Sequence, residues 1–73
     1  MARQTSYHNY KLTPLQLMVL ELCTEGITGK EIGERLFCSE SNIGRLKEEI
    51  FRKLNVKNQI QAVTKGFRIG LLA

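Results

Sequence analysis

Apolar residues recur at three- and four-residue steps in successive stretches of the chain, each opened by a residue suited to capping a helix. In "LTPLQLMVLELCTEG", Leu15, Val19, Leu22 and Cys23 make one stripe and Leu20 widens it. Thr13 offers an acceptor to the amides of the first turn, Pro14 stands where its missing N–H costs nothing, and Gln16 completes a capping box. Leu12 can staple the entry, and Gly26 suits a left-handed stop, so the pattern predicts a helix from about Pro14 to Glu25. "TGKEIGERLF" repeats the device, with Thr28 and Glu31 boxing the start of a helix whose apolar face is Ile32 and Leu36. Glu31 and Arg35 lie one turn apart and are expected to pair. Gly29 and Gly33 each weaken this helix by roughly 1 kcal/mol relative to alanine. Gly33 is therefore expected where another helix crosses closely.

Ser39 caps the next helix only three residues after Leu36, which leaves room for a tight turn and nothing longer. That helix runs from about Glu40 to Leu54, with Ile43, Leu46, Ile50 and Leu54 in one sector. At about 100° per residue, Ser41, Gly44, Arg45, Glu48 and Arg52 fall opposite. Asn58 caps a fourth helix carrying Ala62, Val63 and Phe67 and ending near Gly70. Val63 is assigned to the core, and some of Ile69, Leu71 and Leu72 must close it; Ile60 and Phe67 share a face suited to a partner. No segment has a strand period. The fold class is all-α, four helices in one domain over residues 12–73, preceded by a leader, residues 1–11, without period or caps. This leader is expected to be partly disordered, with Tyr7, His8 and Tyr10 in a solvated tail.

Composition narrows the function. A chain of 73 residues holds one small core and little space for a cleft, and no nucleophile, base and orienting group stand at usable spacing, so an enzyme is not expected. No apolar run fits a signal peptide or a membrane span, which makes the cytoplasm the expected compartment. Cys23 and Cys38 have no CxxC pairing and His8 is the sole histidine, so both cysteines read as buried thiols, and no metal or other cofactor is expected. Charge is uneven: residues 13–40 set Lys30 and Arg35 against five glutamates, whereas residues 41–73 carry seven Lys or Arg against Glu48 and Glu49. A basic second half suits a polyanion on one side of the fold, with solubility as the competing explanation.

A short helix, a tight turn and a longer helix with an Arg-bearing outer side make the helix-turn-helix pattern, whose second helix enters the major groove. The anchors "LTP", "KEIGERL", "CSESNI", "KLNVKN", "QAV" and "GLL" together resemble the LuxR/FixJ/GerE type of helix-turn-helix domain over residues 12–72. The resemblance implies a four-helix, sequence-specific double-stranded DNA-binding domain, the output part of a bacterial transcription regulator such as a response regulator. It implies that the third helix reads DNA and that helix four commonly forms a homodimer contact, for which the shared face of Ile60 and Phe67 is the candidate; a contact with RNA polymerase is also expected.

Carried over by position, it points to Ser41, Asn42, Gly44, Arg45, Glu48 and Arg52 on the recognition helix and to Lys30 and Lys57 beside phosphates. The chain departs from the family pattern at Asn42, where threonine is usual, at Gly44, where lysine is frequent, at Leu46, where histidine is common, and at Gln59, where arginine often follows the asparagine. Two readings of the glutamates stay open. In one, Glu48 accepts from a cytosine amino group or orients an arginine; in the other, Glu48 pairs with Arg52 and Glu49 with Lys53, each pair adding about 0.2–0.5 kcal/mol. The alternative function is a protein-interaction module that keeps the fold and has lost strong DNA contacts.

Overall fold

The helices begin at the capping side chains. In the computed structural model, which describes residues 10–73, the elements are α1 (Pro14–Cys23), α2 (Gly29–Leu36), α3 (Glu40–Leu54) and α4 (Gln59–Arg68), with no strand among the described residues. The Gln16 amide donates to Thr13 Oγ1 at 3.1 Å, Glu31 to Thr28 Oγ1 at 3.1 Å, Asn42 to Ser39 Oγ at 3.1 Å and Gln61 to Asn58 Oδ1 at 2.9 Å. Each such cap stabilises its helix by about 1 kcal/mol. Tyr7 and His8 lie outside the described residues.

The core is built around α3, which packs against each of the other three helices. Val19, Ile32, Ile43, Leu54 and Ala62 are fully buried, and Leu12, Leu20, Cys23, Ile50, Leu71 and Leu72 complete the cluster. The expected stripe of α1 is corrected at its start. Leu15 is exposed, and the buried set is Gln16, Val19, Leu20 and Cys23. This is a regular i, i+3, i+4, i+7 face that happens to begin on a polar residue. Leu46 and Val63 are half-buried beside the core rather than inside it.

Four other expectations change. The α-helical part of α1 stops at Cys23, and a tighter turn carries the chain to Gly26, whose φ is +73°. Arg35 pairs with Glu25 at 2.7 Å instead of Glu31, because Glu31 is occupied by the Thr28 capping box. The close neighbour of Gly33 is the turn itself, since an added Cβ would stand 2.5 Å from the Cys38 carbonyl oxygen. Tyr10 packs against the core, with the Lys65 ammonium 5.5 Å from its ring centre and the same ammonium donating to the Leu54 carbonyl at 2.7 Å. Lys65 thereby satisfies a carbonyl at the C-terminus of α3, where a cation is favoured.

The turns after α2, α3 and α4 place Phe37 (φ +58°), Asn55 (φ +57°) and Gly70 (φ +87°) in left-handed backbone. Glycine and asparagine tolerate this region, while phenylalanine is strained there. Gly70 returns the chain so that the Leu71 and Leu72 amides both donate to the Gly66 carbonyl, and Leu72 lies where a Cβ on Gly66 would collide, at 2.8 Å. Phe37 has no such packing to compensate, being 96% exposed.

These two observations predict shifts of opposite sign in a chemical denaturation series. Gly33→Ala should destabilise the domain by about 1–3 kcal/mol, because the obstructing atom is backbone and cannot move aside cheaply. Phe37→Asn should stabilise it by up to about 1 kcal/mol through relief of the left-handed strain.

Candidate nucleic-acid interface

With Ile43, Ile50 and Leu54 sealed into the core, the other side of α3 is left bare. Ser41, Asn42, Gly44, Arg45, Glu48 and Arg52 are all exposed there. The structure thus brings together the six α3 residues singled out in the sequence. Arg45 is not loose on this surface: its Nη2 donates to Asn42 Oδ1 at 2.8 Å, one turn back along the helix. Glu48 and Arg52 take part in no ion pair among the described residues, so the Glu48–Arg52 pair of the second reading is not formed.

Glu49 and Lys53 turn away from this face, and in place of the pair that the second reading gave them both meet at a junction on Gln16. Gln16 Nε2 donates to Glu49 Oε1 at 2.9 Å, and Lys53 Nζ donates to Gln16 Oε1 at 2.8 Å and to the Lys11 carbonyl at 2.8 Å. Gln16 Oε1 also accepts from the Thr13 amide at 3.0 Å, which completes the α1 capping box. A side chain only 3% exposed therefore ties the start of α1 to the C-terminal half of α3 with both ends of its amide satisfied. Residue spacing places Gln16 on the buried stripe of α1, and a polar residue at such a position signals an internal partner; its partners lie too far away in sequence to be read from spacing.

The basic excess divides in the same way. Lys53 and Lys65 spend their ammonium groups on internal carbonyls and on Gln16. Lys47 is half-buried, and an added Cβ at Gly29 would lie 3.8 Å from its Nζ, which sets the first turn of α2 beside the middle of α3. Burial pushes the Cys23 thiol up from its ordinary pKa, and the charge of Lys47 offsets part of that rise. Cys38, expected to be buried, is half-buried in the turn before α3. Lys30, in the first turn of α2, and Lys57, in the turn before α4, are both exposed.

On α4, Ile60 is 79% exposed and Phe67 48% exposed, seven residues apart on one side. Ile60, with Thr64, forms the ridge between two shallow grooves, one of about 290 Å³ bordered by Val56 and Arg68 and one of about 240 Å³ bordered by Cys23, Gln59 and Val63. Phe67 lines neither. Among the described residues no three His, Cys, Asp or Glu side chains gather, and no helix is long and apolar enough to cross a membrane.

A capped α2, a three-residue turn and a longer α3 with an exposed polar side define a helix-turn-helix DNA-binding domain. The sequence profile of the luxR family of bacterial regulatory proteins matches residues 10–65, and the chain belongs to that family. It is 42% identical over 62 residues to a glycerol metabolism activator of Pseudomonas putida, covering 85% of this chain and 28% of that protein. It is 36% identical over 59 residues to the transcriptional regulatory protein DegU of Brevibacillus brevis, covering 81% of this chain and 25% of that protein. A probable transcriptional regulator, ycf29, of Pyropia yezoensis is 31% identical over 71 residues, covering 97% of this chain and 32% of that protein. The chain thus spans about a quarter to a third of the length of these relatives. No solved structure gives a significant match.

The Gln16 junction yields a measurable coupling. Gln16→Ala should destabilise the domain by about 1–3 kcal/mol, because it leaves Glu49 without its amide donor and Thr13 without its box partner. Combined with Glu49→Ala in a double-mutant cycle, it should show a coupling of about 0.5–3 kcal/mol; strictly additive losses would mean that the contact holds nothing.

Proposed function

We propose that α3 lies in the major groove of double-stranded DNA, with Arg45 and Glu48 toward base edges, Ser41, Asn42 and Gly44 on the approaching side, and Arg52, Lys30 and Lys57 near phosphates. The observation that carries this reading is the bare α3 side with Arg45 and Arg52, in a domain whose other α3 side is locked into the core. Phosphate contacts at the borders give affinity without sequence choice, and contacts from the middle of the helix give the choice. Through this face the domain serves a bacterial transcription regulator as its output part, in the manner of a response regulator, and acts in the cytoplasm. The names of DegU and ycf29 as transcriptional regulators support that role. A homodimer through α4, with Ile60 in the middle of the contact, would set two copies on the two halves of a symmetric site, and the exposed Ile60 ridge between two grooves supports it.

Titration of the chain against DNA selected from a random pool should give binding that weakens steeply between about 50 and 200 mM salt. Lys57→Ala should weaken binding to all sequences alike and flatten the salt slope by about one charge. Absence of binding at low salt would overturn the reading.

The dimer is tested on the selected DNA by sedimentation. Ile60→Asp should leave the helical content intact and convert two-copy complexes into one-copy complexes. Unchanged stoichiometry would remove Ile60 from the interface.

A further inference from the structure

An exposed glycine in the middle of a helix weakens that helix relative to alanine and needs a reason. Gly26 and Gly70 have one in their positive φ, and Gly33 and Gly66 have one in the atoms that a Cβ would strike. Gly44 has neither: its φ is not positive, and a Cβ built there meets nothing within 4 Å. Nothing inside the described domain asks for glycine at this position. It lies between Ser41, three residues before, and Glu48, four residues after, so its missing side chain leaves a notch in the exposed side of α3, next to Arg45.

Two further features flank that notch. The Arg45 guanidinium is held by Asn42 through one N–H, which lowers its freedom while the remaining N–H groups have no partner among the described residues. A guanidinium fork held in this way matches the two acceptors, O6 and N7, that guanine shows in the major groove. Glu48, one turn on, is an acceptor without an ion-pair partner among the described residues. A carboxylate is repelled by phosphates, so its favourable place in a groove is against a base amino group, and the cytosine amino group is its usual partner.

We infer that the middle of α3 reads G·C pairs, Arg45 donating to guanine and Glu48 accepting from the amino group of a cytosine nearby, with Gly44 admitting the backbone close to the duplex and Asn42 positioning Arg45. This rests on α3 entering the major groove as proposed above.

The test compares the 73-residue chain with its variants on the selected DNA and on single-base changes of it, at fixed salt. Arg45→Ala should abolish a preference for guanine at one position, a loss of about 5- to 150-fold in discrimination, and Glu48→Gln should relax a preference for cytosine at another. Asn42→Ala should lower the same guanine preference as Arg45→Ala without removing it. Gly44→Ala should raise Tm by about 4–8 °C and yet weaken binding several-fold, and Gly44→Lys should also weaken it. Tighter binding of Gly44→Lys to all sequences would mean that the position merely lacks a phosphate contact, and would overturn the close approach. Arg45→Ala weakening every sequence equally, or a Glu48 preference for adenine, would overturn the G·C assignment while leaving DNA binding intact. Failure of the unaltered chain to bind any DNA at low salt would overturn the groove reading as well.

Discussion

One side of α3 is buried against all three of the other helices, and this burial sets the orientation of everything α3 carries. Ile43, Ile50 and Leu54 are almost wholly removed from water, and every other helix packs against that element. Moving a helix by one residue turns it by about 100°, so a sealed apolar side fixes the direction of the opposite side. The exposure of Ser41, Arg45, Glu48 and Arg52 is thus the complement of core formation. The turn that precedes α3 is held equally hard. The Cys38 carbonyl occupies the space where Gly33 lacks a side chain, and the Cys38 amide donates back to Gly33 at 2.8 Å.

Polar contacts then refine what apolar packing begins. Gln16 sits in the buried stripe of α1 and reaches Glu49 and Lys53, two residues whose charges would otherwise belong to the outer side of the domain. Hydrogen bonds to charged partners are stronger than neutral ones, contributing about 1.5–3 kcal/mol each where they are well made. Lys65 does comparable work at the other end, joining the last turn of α3 to Tyr10. Both sets resist rotation of α3 about its own axis, a freedom that apolar contacts alone restrain weakly.

This division changes the electrostatic picture of the exposed side of α3. The basic excess of residues 41–73 is not spread evenly over a surface, because Lys53 and Lys65 are committed to internal acceptors. Glu49 is withdrawn along with Lys53, which leaves Glu48 as the one carboxylate among the outer residues Ser41, Gly44, Arg45, Glu48 and Arg52. A helix face carrying two arginines and a single glutamate differs from a uniformly basic patch in what it offers. It can attract phosphates at its margins and still exchange hydrogen bonds with base edges at its centre.

Legible in the string of residues were the start of each described helix, the left-handed turn at Gly26, the placing of Ile43, Ile50 and Leu54 opposite Arg45 and Arg52, and the family that the chain resembles. Caps and periodicity are local, acting over three or four residues, and are therefore legible in a single string. The packing of the helices settled that Glu25 rather than Glu31 holds Arg35, that Glu49 and Lys53 converge on Gln16, and that Tyr10 belongs to the core. In each case a side chain has two chemically acceptable partners or environments, and the choice falls to whichever is brought near by the packing of a distant helix. Glu31 is taken by its own cap, Lys53 meets α1 across 37 residues of chain, and no pattern of spacing along the sequence encodes that meeting.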